Sequence, residues 1–164
     1  FHQLDMRDFA LAAPVDTIVV AANSLMHLTE ITDFDGFFAS VRRNLAPGGR
    51  LLFDVFVPSA EMLARPPDAR HPVAASDGPG GRITLEETIR YDAATQISHV
   101  EWFWSRPDAP DFWRHELTFR QIYPQELPLL LERGGLRLVS RYGAFDRSPF
   151  GPQSHRQVCV AVSA

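Results

Sequence analysis

The chain has 164 residues, with 16 basic against 20 acidic side chains and a formal charge of −4. A chain of this size buries roughly 70% of its unfolded surface, enough for one compact domain. Its 45% apolar and 22% charged residues exclude the disordered, collagenous and membrane-spanning classes. The acidic balance offers no long-range attraction to phosphate backbones, so no nucleic-acid partner is expected. No apolar run exceeds strand length, so no membrane partner is expected either. The single Cys159 excludes an internal disulfide and any multi-Cys metal site; a cytoplasmic location fits, and no metal is expected.

Taken in chain order, Phe1 to Met6 is expected to form a parallel strand. Val15 to Ala22 is a nearly continuous apolar run, the pattern of a parallel strand covered on both faces. Phe34, Phe37, Phe38, Val41 and Leu45 then fall at helical spacing, with Asp33 or Thr32 to cap the start and Pro47-Gly48-Gly49 to close the end. Arg50 to Val57 reads as another buried strand stopped by Pro58. Strand, helix and strand of these lengths make a βαβ unit with parallel strands.

Ala64 to Gly81, rich in Pro, Gly and Asp, reads as an irregular connection. Ile83–Tyr91, Ile97–Trp104 and Trp113–Tyr123 alternate with a period of two and predict an antiparallel meander. Pro124 opens a helix as its first residue, Leu127, Leu130 and Leu131 face inward, and Gly134-Gly135 end it. Leu136–Tyr142 and Arg156–Val162 are two further strands.

In open parallel sheets, ligands bind at the carboxyl ends of the strands, where loops and helix starts gather polar groups. Three such ends carry Asp5-Met6, then Asn23-Ser24 with His27 one turn on, then Asp54 with Phe56 and Pro58. Each has an ordinary structural role as a turn or cap residue. Parallel neighbours would set all of them along one sheet edge. The six His residues show no metal-ligand spacing.

Asp5-Met6-Arg7, Val15-Asp16-Thr17-Ile18, Asn23-Ser24-Leu25-Met26-His27-Leu28 and Leu45-Ala46-Pro47-Gly48-Gly49, with the buried run to Asp54, resemble the class I S-adenosylmethionine-dependent methyltransferases. The Asn-Ser-x-x-His-Leu segment is similar to small-molecule N-methyltransferases of the glycine and sarcosine type. Tyr123-Pro124 and Tyr142-Gly143-Ala144-Phe145-Asp146 continue the resemblance, which covers nearly the whole chain.

The resemblance implies an α/β fold, the C-terminal part of a Rossmann-like class I methyltransferase sheet with an antiparallel β insertion. Residues 1–164 would be one partial domain: a parallel βαβ portion over 1–58, an irregular connection and antiparallel roof over 59–123, and a terminal helix and strands over 124–164. It implies S-adenosylmethionine as cofactor, with Asp5 accepting from the adenine amino group and the Met6 amide facing a ring nitrogen. Ala21 and Ala22 would offer carbonyls to the methionine ammonium. Asn23 and His27 would face the acceptor, a small molecule methylated on an amine or a hydroxyl. Phe56 stands where glycine-type enzymes place a carboxylate-gripping Arg, which argues for a larger or less acidic acceptor. Trp102, Arg120, Tyr123 and Tyr142 are the remaining acceptor-contact candidates.

The family's Gly-rich turn after the first strand and its acidic ribose ligand are not among these residues. On the resemblance, roughly two strands and two helices precede Phe1, and the chain is a truncated domain inactive by itself. The competing reading is a catalytically silent binding or assembly module of the same fold. A nicotinamide oxidoreductase is compatible with the topology, but no hydride-transfer constellation supports it. Sheet edges left open in such a fragment favour a homodimer.

Overall fold

The computed structural model describes residues 1–78 and 81–164, and the Pro79-Gly80 part of the predicted connection lies outside the described residues. Two units separate, Phe1–Pro58 with Gln121–Ala164, and Ser59–Arg120.

In the first unit, β1 (Val15–Val20) runs parallel to β2 (Leu45–Phe56), pairing Val20 with Phe53. The strand β1, helix α1 (Ile31–Asn44) and strand β2 complete the expected βαβ unit. Two later strands, Leu136–Tyr142 and Arg156–Ser163, bracket the other side; they pair antiparallel to one another, and the second of them pairs antiparallel to β2. Between β1 and α1, Ser24–His27 forms one 3-10 turn.

The alternation of β2 explains the packing. Leu51, Phe53 and Val55 are buried, and their partners Ala161, Cys159 and Gln157 are buried with them. α1 contributes Phe34, Phe37, Phe38 and Val41 to the same core. Phe37 and Phe38 lie 5.3 Å apart between ring centroids, and Phe34 and Phe38 6.1 Å. The Glu126–Arg133 helix adds Leu127, Leu130 and Leu131, as its spacing predicts. It is tied to α1 by the paired bonds from Arg133 to Asp35 at 2.7 and 2.8 Å. At its end the backbone crosses the Phe38 ring so closely that a Cβ on Gly134 would stand 2.4 Å from a ring carbon.

Several local expectations are corrected. Phe1–Met6 is not a strand: it is mostly exposed, and no described strand pairs with it, so it lacks the ladder that defines one. The following residues are instead strapped to α1 by side chains. Asn44 accepts from the Leu11 N–H at 2.7 Å and donates to the Phe9 carbonyl at 2.9 Å, while Ser40 accepts from the Phe9 N–H at 3.3 Å. β1 is not covered on both faces. Among the described residues it pairs with β2 alone, and Val19 is 64% exposed.

Helix α1 is capped at Glu30, whose N–H donates to Asp33 Oδ2 at 3.2 Å, so Asp33 serves from the first turn. The helix stops at Asn44, and Pro47-Gly48-Gly49 falls in the irregular start of β2, where Gly48 takes φ +79°. Pro124 lies two residues before the first helical residue of Glu126–Arg133 rather than in it.

The second unit begins with helix α2 (Ala60–Leu63), capped by Ser59, which accepts from the Met62 N–H at 3.4 Å. It continues as a four-stranded antiparallel sheet in chain order, His71–Gly78, Gly81–Asp92, Ile97–Arg106 and Ala109–Arg120. Its first strand lies in the segment expected to be irregular. Pairing with the next strand supplies the regularity its polar sequence does not announce. Trp104 and Trp113 face one another across the sheet at 5.8 Å, and Leu85, Ile89 and Val100 are buried. On the opposite face the Arg70 guanidinium lies 3.7 Å over the buried Phe103 ring and is held by Asp111 through bonds of 2.8 and 2.7 Å.

Cys159 sits at zero exposure on the covered face of the first unit, and burial pushes its thiol up to about 12. The reactive thiolate is therefore scarce throughout the neutral range. At pH 8 a disulfide reagent is expected to leave native protein unlabelled and to titrate one thiol after guanidinium is added. Immediate labelling of the native state contradicts this placement.

Candidate functional site

The parallel pairing of β1 and β2 sets two of the three expected strand ends side by side. Just past β1 the backbone turns left-handed twice in succession, at Ala22 (φ 58°) and Asn23 (φ 60°). Side chains other than Gly visit this region rarely, because Cβ crowds the neighbouring carbonyl. Two consecutive residues there redirect the chain into the Ser24–His27 turn. The Ala21 carbonyl accepts from both the Ser24 N–H (3.2 Å) and its hydroxyl (2.7 Å).

The next strand end supplies the partner. Asp54, 2% exposed, accepts from the Ala22 N–H at 2.9 Å through Oδ1, while its Oδ2 is paired with Arg156. Arg156 opens the last strand of the sheet, where antiparallel register sets it opposite Phe56. Its guanidinium lies 4.9 Å from the Phe56 ring and 5.0 Å from the Phe145 ring. Both rings are exposed on their other sides, 43% and 69%. A cavity of about 530 Å³, lined by Phe145, Ser148, Pro149, His155 and Arg156, opens beside them.

The rim therefore gathers Ala22, Asn23, Asp54, Phe56, Phe145 and Arg156. Asn23 Oδ1 is buried there without a hydrogen-bond partner among the described residues. His27 is exposed at the end of its turn. Tyr142 ends its strand, pairs with Val158 and bridges to Pro149. Tyr123 lies in the segment leading to the Glu126–Arg133 helix, with its N–H 3.3 Å from Glu126 Oε2.

Asp5 and Met6 lie in a turn, outside any strand. The Asp5 carboxylate accepts from the Arg7 side chain at 2.7 to 3.1 Å and from the Arg7 N–H at 2.9 Å. The Arg7 side chain, followed by its N–H, holds the Asp5 carboxyl down at about 2. Arg7 also reaches Asp33 of α1 at 3.2 Å, which fixes the turn against the helix. Trp102 and Arg120 belong to the second unit: the Trp102 indole donates to Glu87 at 3.3 Å, and Arg120 donates to Gln96 at 3.3 Å.

Arg156 and Phe145 are absent from the sequence-based candidates. Arg156 follows Asp54 by 102 positions, and only the register of two strands joins them.

Solved structures share this fold. The CcbJ methyltransferase from Streptomyces caelestis superposes with a TM-score of 0.83 at 22% identity, over 97% of this chain and 65% of that one. An S-adenosylmethionine-dependent methyltransferase from Clostridium acetobutylicum ATCC 824 gives 0.76 at 13%, over 98% and 63%. CalS10 from Micromonospora echinaspora, an amino pentose methyltransferase solved with S-adenosylmethionine bound, gives 0.69 at 14%, over 98% and 63%. The fold is that of these three methyltransferases.

The chain spans 63–65% of the length of these three proteins. No protein-family model matches it, and no curated protein matches it in sequence. Among the described residues no helix is long and apolar enough to cross a membrane, and no group of three or more His, Cys, Asp or Glu is placed to hold a metal ion.

Proposed function

We propose that this chain forms part of an enzyme that transfers a methyl group from S-adenosylmethionine to an amine or hydroxyl of a small molecule. The observation that carries the reading is the left-handed Ala22-Asn23 turn at the carboxyl end of β1, beside Asp54 of the parallel strand β2. The fold, shared with solved methyltransferases, supports it. The rim suits the cofactor in its chemistry: an exposed backbone turn offers polar main-chain groups, and a buried Asn oxygen awaits a donor.

When bound, S-adenosylmethionine supplies a methyl group on a sulfonium that needs no activation by the protein. The residues then have positional work. Alignment of acceptor and methyl group contributes up to about 7–11 kcal/mol in favourable systems. In this reading Asp5 and the Met6 amide hold the adenine, the turn at Ala21 and Ala22 holds the methionine end, and Asn23 orients the acceptor. A neutral amine needs no base; for a hydroxyl, His27 takes the proton.

The test is calorimetric titration of the complete gene product with S-adenosylhomocysteine, repeated on Asp5→Ala and Asn23→Ala. The Asp5 change removes a hydrogen-bonding group to the cofactor, worth about 1.4 kcal/mol, so affinity is expected to fall about tenfold in Asp5→Ala and to hold in Asn23→Ala, where the lost group faces the acceptor. Unchanged affinity in Asp5→Ala removes the site assignment.

A further inference from the structure

We propose that Asp54 is the positioning residue of this rim, holding the left-handed Ala22-Asn23 turn in place through the Ala22 N–H, with Arg156 as its counter-charge. The proposal deepens the methyltransferase reading and rests on it for the use of the turn, though not for the geometry.

Three observations converge. First, the turn is costly. Two consecutive non-Gly residues stand at φ 58° and 60°, a region that disfavours Ala most and Asn less, and such conformers persist where surrounding structure over-determines them. Second, the Ala22 amide donates to a buried carboxylate on the neighbouring strand, at 2.9 Å. A charged acceptor makes a shorter and stronger bond to an amide than a neutral one does. Third, a buried carboxylate is tolerable only when paired, and the pairing here is complete. Oδ1 faces the turn and Oδ2 faces Arg156, whose guanidinium is roofed by Phe56 and Phe145.

The direction of the device follows from strand order. Asp54 sits on β2, buried between its neighbours and fixed by ladders on both sides, β1 in parallel and Arg156–Ser163 in antiparallel register. Among the described residues β1 has one ladder, to β2. Asp54, on the doubly laddered strand, thus holds the loop that follows β1. Phe56 and Phe145, by shielding Arg156, keep the guanidinium directed at Asp54.

The test reads the Ala22 amide directly, by hydrogen exchange in solution NMR, in wild type, Asp54→Asn and Asp54→Leu. Asparagine keeps a carbonyl for the Ala22 N–H; leucine keeps the approximate volume and offers no acceptor. Wild type and Asp54→Asn are expected to protect Ala22, and Asp54→Leu to lose at least tenfold at Ala22 while Leu51 and Phe53 stay protected. If Asp54→Leu does not fold, the Ala22 amide proton shift decides between wild type and Asp54→Asn: it moves upfield as the acceptor loses its charge.

Equal protection of Ala22 in all folded variants, or an unmoved proton shift, overturns the proposal; so does a loss spread evenly over β2, which marks a merely structural role. Binding of S-adenosylhomocysteine, measured on the same samples, should weaken at least tenfold in Asp54→Leu and recover in Asp54→Asn. If Ala22 responds as stated but the wild type takes up no S-adenosylhomocysteine, the functional reading falls and the positioning role stands.

Discussion

Replacing Phe38 by alanine is expected to cost about 3–5 kcal/mol of folding stability, the usual range for emptying an aromatic site in a packed core. Phe38 is 1% exposed, lies against Phe34 and Phe37, and has the Gly134 backbone pressed onto its ring. The backbone of a helix end cannot collapse into the space left behind, so the cavity term adds to the lost transfer energy. Leu129, on the same helix that delivers Gly134 but 65% exposed, provides the control. Its change to alanine should stay within about 0.5 kcal/mol. Urea unfolding followed by far-UV circular dichroism measures both. Equal losses would show that α1 and the Glu126–Arg133 helix do not pack on this ring.

The second large effect is expected from Arg156→Leu. It leaves the Asp54 carboxylate buried with only the Ala22 N–H for company, and breaking one side of a buried pair costs about 3–5 kcal/mol. The lower end is appropriate, since the Arg156 side chain is a quarter exposed and water reaches part of the pair. Asp54→Asn should cost less, because the amide is neutral and the remaining cation can hydrate. In Asp54→Asn/Arg156→Leu neither charge is stranded, so the double variant should be more stable than Arg156→Leu alone. A double-mutant cycle in urea unfolding should return a coupling above about 1 kcal/mol. Strict additivity would mean that the two side chains do not share an interaction in solution.

These two effects arise at different depths of legibility. Phe38 was readable as core from the chain alone, because Phe34, Phe37, Phe38 and Val41 repeat with the helical period. The parallel relation of β1 and β2 followed from strand and helix lengths, and the meander from two-residue alternation. The functional candidates divided unevenly. Asn23, Phe56 and Asp54 stand together on one rim, as parallel strand ends require. Asp5 is expected from the resemblance as an adenine contact, while its pairing with Arg7 and the Arg7 contact to Asp33, which joins residues 26 positions apart, come only from the structure.

By itself the sequence determined what repeats locally: the α1 and Glu126–Arg133 helices with their apolar faces, the alternating strands of the meander, and that β1 and β2 run parallel. Those properties follow from side-chain periodicity and cap chemistry, which act over a few residues. Only the tertiary structure decided that, among the described residues, Phe1–Met6 forms no ladder, His71–Gly78 enters a sheet, and β1 pairs with β2 alone. A strand exists through its hydrogen-bonded neighbour, and that neighbour is not encoded in the strand's own residues. The same reason hid the pairing of Asp54 with Arg156 and the strained turn they support.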